Sequence, residues 1–183
     1  MPKAVLIGPP GAGKSSVGRQ LAKLLDCEIF DTDSEIEKVS ERKIADIFTD
    51  DGEPAFRAIE KVVVLAALKN QTGVVALGGG SVLDQEVADY LIAQSLPVFY
   101  LEVSISQAAP RVGFNKERPL LAINPRQQWM QLMEKRREIY ESLATQKFST
   151  DNKKPAEVAR EIADAIEVNK RKALPLMQSA NTR

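Results

Sequence analysis

Apolar and polar positions along this chain follow two different periods. Short apolar runs at Ala4–Ile7, 28–31 (EIFD), 74–77 (VVAL), 98–101 (VFYL) and, more weakly, 147–149 have the length and content of strands. Between them the spacing changes. Val17, Leu21, Leu24 and Leu25 fall at i, i+4, i+7 and i+8, one face of a helix, and Val158, Ile162, Ala165 and Ile166 repeat that spacing near the end. Strands alternating with helices predict an α/β domain whose parallel sheet is covered by helices. The chain contains no internal repeat and no low-complexity tract.

The segment joining the first strand to the first helix is GPPGAGKS, residues 8–15. A strand, a glycine-rich loop ending in Gly-Lys-Ser and a helix form a phosphate-binding P-loop. Glycines let the backbone curl until successive N–H groups point at phosphate oxygens, and the helix adds its positive end. Lys14 can then reach the β and γ phosphates, and the Ser15 hydroxyl can ligate Mg²⁺. Two further loops lie at the same strand-end face. Asp31-Thr32-Asp33 ends the second strand, where its two carboxylates could face Mg²⁺ and an acceptor hydroxyl, or where Asp33 or Ser34 could simply cap the next helix. Gly78-Gly79-Gly80-Ser81 follows the third strand and lets backbone N–H groups approach an anion closely.

One charge is misplaced for a surface helix. Between positions 129 and 143 the apolar residues Trp129, Leu132, Met133, Ile139, Tyr140 and Leu143 form a stripe, and Arg136 sits in its middle. A charge on a buried face is costly without a partner, so Arg136 must meet an anion, either a protein carboxylate or a ligand. Arg57, with Glu53 four residues before it and Glu60 three after, reads by default as a helix ion pair.

Composition narrows the chemistry. The 183 residues suit one domain with a self-sufficient core. There is no histidine and one cysteine, Cys27, which excludes a zinc site and Ser-His-Asp or Cys-His catalysis and favours a reducing compartment. Lys plus Arg and Asp plus Glu both number 25, so the basic excess of a nucleic-acid-binding protein is missing. Four of the basic residues and none of the acidic ones follow Val168, giving the stretch 169–183 a charge of +4 and the rest −4. Such a tail either contacts an anionic surface or, by default, is a frayed, solvated end. The apolar run at Ala4–Ile7 is too short for a signal-peptide core or a membrane span, and the expectation is a cytoplasmic protein that binds neither membrane nor nucleic acid. A regulatory GTPase needs Asn-Lys-x-Asp, and residues 115–118 and 152–155 both lack the Asp; no Asp is followed by Gly three residues later. A small kinase fits best.

In this order and spacing, GPPGAGKS, DTD, GEPAFRAIE, LGGGSV, ERPLL and EKRREIY resemble the shikimate kinases, over nearly the whole chain from residue 3 to 168. The resemblance implies a P-loop NTPase of the nucleoside-monophosphate-kinase type, with a five-stranded parallel sheet flanked by helices. It also implies ATP- and Mg²⁺-dependent phosphorylation of the 3-hydroxyl of shikimate on the route to chorismate and the aromatic amino acids. Residues 1–168 would be one kinase domain with a lid at about 113–124, and 169–183 a disordered tail. Matched position by position, Asp33 binds the acceptor hydroxyls and acts as base. Arg57, Gly79 and Arg136 hold the shikimate carboxylate, Gly80 lies near the ring hydroxyls, and Glu60 orients the arginines. Gly11, Ala12, Gly13, Lys14, Ser15 and Ser16 cradle the ATP phosphates, and Arg118 in the lid closes over them. Arg111 and Pro155 sandwich adenine, Lys153 is a looser match beside it, and Asp31 supports Mg²⁺ with Ser15. Ser16 stands where the family commonly has threonine, which keeps the hydroxyl. The protein is expected to be a monomer. A gluconate-type sugar-acid kinase and a nucleoside monophosphate kinase are the alternatives.

Overall fold

A strand buried on both faces is continuously apolar, and the run Ala4–Ile7 becomes such a strand, β1, with no residue more than 1% exposed. The computed structural model describes residues 1–112 and 124–178. Around β1 it arranges β2 (Ile29–Asp31), β3 (Val74–Ala76), β4 (Val98–Glu102) and β5 (Gln146–Ser149) in the order β2-β3-β1-β4-β5, every neighbouring pair parallel. All five expected strands are present. The weak fifth run is an edge strand with only Phe148 buried, and its one-sided burial explains its faint apolar signal.

The connections are helices α1 (Lys14–Leu24), α2 (Thr32–Ser40), α3 (Ile44–Asp50), α4 (Gly52–Asn70), α5 (Gln85–Ala93), α6 (Ile105–Val112), α7 (Pro125–Leu143) and α8 (Pro155–Gln178). The periodic stripes read in the sequence supply much of the packing, but Leu24, placed in the α1 stripe, is 48% exposed. Val17 and Leu21 of α1 and Val158 and Ile162 of α8 are buried, and these two helices pack on each other. A smaller core lies apart from the main one: Ile36, Ile47, Phe56 and Val63 join α2, α3 and α4, with the Phe48 and Phe56 rings 4.5 Å apart. It holds α4, the helix carrying Arg57 and Glu60, against the segment that begins at Asp33.

Two expectations need correction. Helix α2 starts at Thr32, directly after β2, and its cap is Asp31, whose Oδ1 accepts from the N–H groups of Asp33 and Ser34. Neither Asp33 nor Ser34 is the cap. The disordered tail expected from residue 169 is also displaced, because α8 runs through to Gln178. Asn169 to Leu174 contain no Gly or Pro and are mostly strong helix formers, so nothing there stops the helix. Among the described residues no helix is long and apolar enough to cross a membrane.

In an open parallel sheet, ligands bind outside the carboxyl ends of the strands where the order reverses. Here the chain leaves β1 for β2, returns to β3 beside β1, then crosses to β4 on the other side. The reversal therefore lies at β1, whose carboxyl end runs into residues 8–15.

Candidate functional site

Residues 8–13 form the bend between β1 and α1. Gly11 and Gly13 take φ of 84° and 82°, values that a residue with a Cβ adopts only under strain. The left-handed Gly13 caps α1, so the helix's first N–H groups stay directed toward the loop. Lys14 Nζ donates to the carbonyls of Gly8 and Pro9 at 2.8 and 3.2 Å, folded back over the loop it would bridge to a phosphate.

A cavity of about 320 Å³ opens at these residues, within the usual range for a small-molecule site. Gly11, Ala12, Gly13, Lys14, Ser15 and Ser16 form one wall. Asp31 and Asp33 line it from β2 and α2, Gly79 from the glycine loop, and Arg111, Lys153 and Pro155 from the far side. Arg111 bridges the halves: its guanidinium donates to the Gly11 carbonyl at 3.4 Å and to Thr150 Oγ1 and O at 3.1 and 3.0 Å. Lys153 pairs with Glu161 at 2.8 Å, and Pro155 opens α8, where a missing N–H and preset φ cost nothing. Arg118 and residues 113–123 of the expected lid lie outside the described residues.

Arg57, Glu60, Gly80 and Arg136 gather beside Gly79 and Asp33. Glu60 is 3% exposed and satisfied twice, by Arg57 Nη1 at 2.5 Å and by the Ser81 hydroxyl at 2.8 Å. Arg57 also binds Glu53 at 3.0 Å, so the ion pairs read in the sequence both form. Burial works against the Arg57 charge, but the attraction and hydrogen bond of Glu60, followed by those of Glu53, outweigh it and raise the guanidinium's pKa. Gly80 packs directly on this guanidinium; a Cβ there would push Arg57 Nη1 out of its present place.

Arg136 is buried, 6% exposed, as its place in the stripe requires. Its Nη1 donates to the Gly79 carbonyl at 3.1 Å. Among the described residues no carboxylate lies within ion-pair distance of it, so the acid expected to orient both arginines pairs with Arg57 alone. The Tyr140 hydroxyl, one turn further along α7, donates to the same Gly79 oxygen at 2.5 Å. Burial pushes the Tyr140 pKa up to about 12, against the lowering pull of Arg136, so the phenol stays a donor at neutral pH. Pinning that carbonyl toward α7 turns the Gly80 N–H, trans across the same peptide, the other way.

Several positioning residues were not legible as such. Trp129 Nε1 donates to the Pro10 carbonyl at 3.0 Å, and Pro10 in turn packs against Gly79. Trp129, Arg136 and Tyr140 thus join the phosphate loop and the glycine loop to one helix face. In the sequence the two aromatics count as core, and the signal that could have singled them out is the polar tip each must satisfy when buried. Ser81, Thr32 and Thr150, all at most 2% exposed, gave no signal at all.

The profile of the family described as shikimate kinase matches residues 10–167. A shikimate kinase of Streptomyces avermitilis is 48% identical over 168 residues, covering 92% of this chain and 97% of that protein. One from Rhodococcus jostii is 47% identical over 162 residues, covering 88% and 95%. Among solved structures, a shikimate kinase from Acinetobacter baumannii in complex with shikimate superposes with a TM-score of 0.88 at 35% identity, covering 91% of this chain and 93% of that one.

Proposed function

The chain belongs to the shikimate kinase family and phosphorylates a hydroxyl of shikimate from ATP, and we propose that Arg136 and Arg57 hold the acceptor's carboxylate while Asp33 receives the hydroxyl proton. It is a transferase acting on an alcohol group, on the route to chorismate and the aromatic amino acids. The observation that carries the proposal is Arg136: a buried guanidinium whose hydrogen-bonded partner is a carbonyl, in a site next to the phosphate loop. A carbonyl satisfies one donor of a guanidinium and none of its charge, and the carboxylate of shikimate would supply both through two parallel hydrogen bonds. Arg57, held by Glu60, and the Gly79 N–H complete the clamp, and Gly80 faces the ring hydroxyls.

On the donor side, Gly11 to Ser16 would cradle the phosphates, with Lys14 neutralising the charge that builds on the transferred group. Adenine would rest between Arg111 and Pro155, with Lys153 beside it, and Arg118 would close from the lid. Ser15 and Asp31 fit a Mg²⁺ ion. Both line the cavity with hard oxygen donors, and the described residues hold no group of three or more carboxylate or thiolate ligands that would cage a metal without help. Mg²⁺ held there would supply positive charge that offsets the charge on the phosphates during transfer. The lining residues of the cavity all belong to one chain, so the site needs no residue from a second copy.

An ADP-release assay with shikimate, gluconate, AMP and CMP tests the acceptor, and turnover is expected with shikimate alone. Arg136→Lys tests the clamp. Ammonium cannot copy the two-pronged geometry, so shikimate affinity should fall by about 2–4 kcal/mol, the cost of breaking a buried charge-assisted pair. That is a loss of roughly 30- to 1,000-fold. ATP affinity should hold, and the melting temperature should drop only slightly because lysine can still reach the Gly79 carbonyl. A large drop in apo stability with intact shikimate affinity would make Arg136 structural and reopen the sugar-acid and nucleotide acceptors.

A further inference from the structure

The middle residue of Asp31-Thr32-Asp33 has no part in the chemistry above, yet it is the most deeply buried of the three, 0% exposed. Its hydroxyl both donates and accepts. Thr32 Oγ1 accepts from the Gly78 N–H at 2.9 Å and donates to the Ala76 carbonyl at 3.3 Å, reaching residues 46 and 44 positions away. The β2–β3 ladder ends at the pair Asp31 and Ala76. Beyond it the two chains part, one into α2 and the other into the glycine loop. The Thr32 hydroxyl adds one more rung at that fork, acting as donor and acceptor where the backbones can no longer pair.

What stands on the rung is the reaction site. A Cβ on Gly78 would lie 2.6 Å from Asp33 Oδ1 and 2.6 Å from Glu60 Oε1, so Gly78 sits between the proposed proton acceptor and the acid that holds Arg57. Gly79 and Gly80 follow immediately. We propose that Thr32 is a positioning residue for phosphoryl transfer: its hydroxyl ties the first turn of α2 to the glycine loop and so holds the Asp33 carboxylate at a set place relative to Gly79 and Gly80. The proposal rests on Asp33 acting on the acceptor hydroxyl. It needs a hydroxyl and not merely a filled space, since only a hydroxyl is donor and acceptor at once. Valine has threonine's shape without that capacity, and serine has the capacity without the methyl group.

Initial rates at saturating ATP and shikimate, KM for ATP and melting curves of Thr32→Val, Thr32→Ser and Asp33→Asn, with the Thr32→Val/Asp33→Asn double variant, test it. Thr32→Val is expected to lower kcat by about 10- to 100-fold, the effect of misplacing a reacting group by up to an ångström, with KM for ATP within about twofold. Thr32→Ser is expected to restore kcat to within about threefold of the parent, because the rung is kept. In the Asp33→Asn background the valine substitution should cost less than about threefold, since two residues acting through one carboxylate are not additive. Parental kcat in Thr32→Val, equal loss in the serine and valine variants, or the same loss in both backgrounds each overturns the positioning role. Should the valine variant fail to fold, Thr32→Ala and Thr32→Ser carry the same contrast, and equal rates in those two overturn it. Parental turnover in Asp33→Asn removes the Asp33 reading, and Thr32's role with it. A slow Asp33→Asn beside a normal Thr32→Val removes the role of Thr32 alone.

Discussion

Asp33→Asn is expected to slow turnover by about 10²- to 10⁴-fold, the range lost with a general base. Melting temperature and ATP affinity should barely move. The structure makes this substitution cleaner than the sequence promised. The cap of α2 is the Asp31 carboxylate, so the Asp33 side chain is not spent on the helix end, and an amide there removes basicity without uncapping anything. Asp33 also lines the cavity shared with Lys14 and Gly79, the region where an acceptor hydroxyl must lie to meet a bound phosphate. Single-turnover rates beside a melting curve decide it. Turnover near the parent's would leave Asp33 a structural residue and move the search for a proton acceptor elsewhere.

Lys14→Ala carries the other large effect, a loss on the order of 10³- to 10⁵-fold, comparable to removing a cation that stabilises charge on the transferred phosphoryl group. The fold should survive. Lys14 sits at the first position of α1 on a polar loop, and its hydrogen bonds to the Gly8 and Pro9 carbonyls are worth about 1 kcal/mol each, small beside the stability of a domain this size. ADP release and an ATP titration of the variant measure it. Activity close to normal would remove the phosphate-loop assignment, and with it the donor half of the site.

Some of this was legible because it is local. A strand, a glycine-rich bend and a helix start are specified by consecutive residues, so GPPGAGKS declares its geometry in eight letters. The Arg136 stripe is nearly as local, being a property of one helix, and the burial it implied is found. Other features involve residues far apart. Nothing near Thr32 marks it as a bridge, because its partners Ala76 and Gly78 come from another strand. Asp31 and Asp33 are two residues apart with the same side chain, and only the direct passage of β2 into α2 decides which one caps. At the end of α8 the solvation that charge suggested is present, with Val168, Asn169 and Arg171 exposed, while the helix propensity of 169–174 carries the helix on where a disordered tail was expected.

By itself the sequence determined the class of fold, the strand–loop–helix at residues 4–24 and the burial of Arg136, because periodicity and backbone freedom act within a few residues. Tertiary structure alone decided who answers whom. Arg136 meets the Gly79 carbonyl and not a carboxylate, and Tyr140 and Trp129 tie the glycine and phosphate loops to α7. Gly80 lies against a guanidinium from α4. These are relations between groups tens of residues apart, and hydrogen-bond and contact distances of a few ångströms exist only once the sheet has brought their strands and helices together.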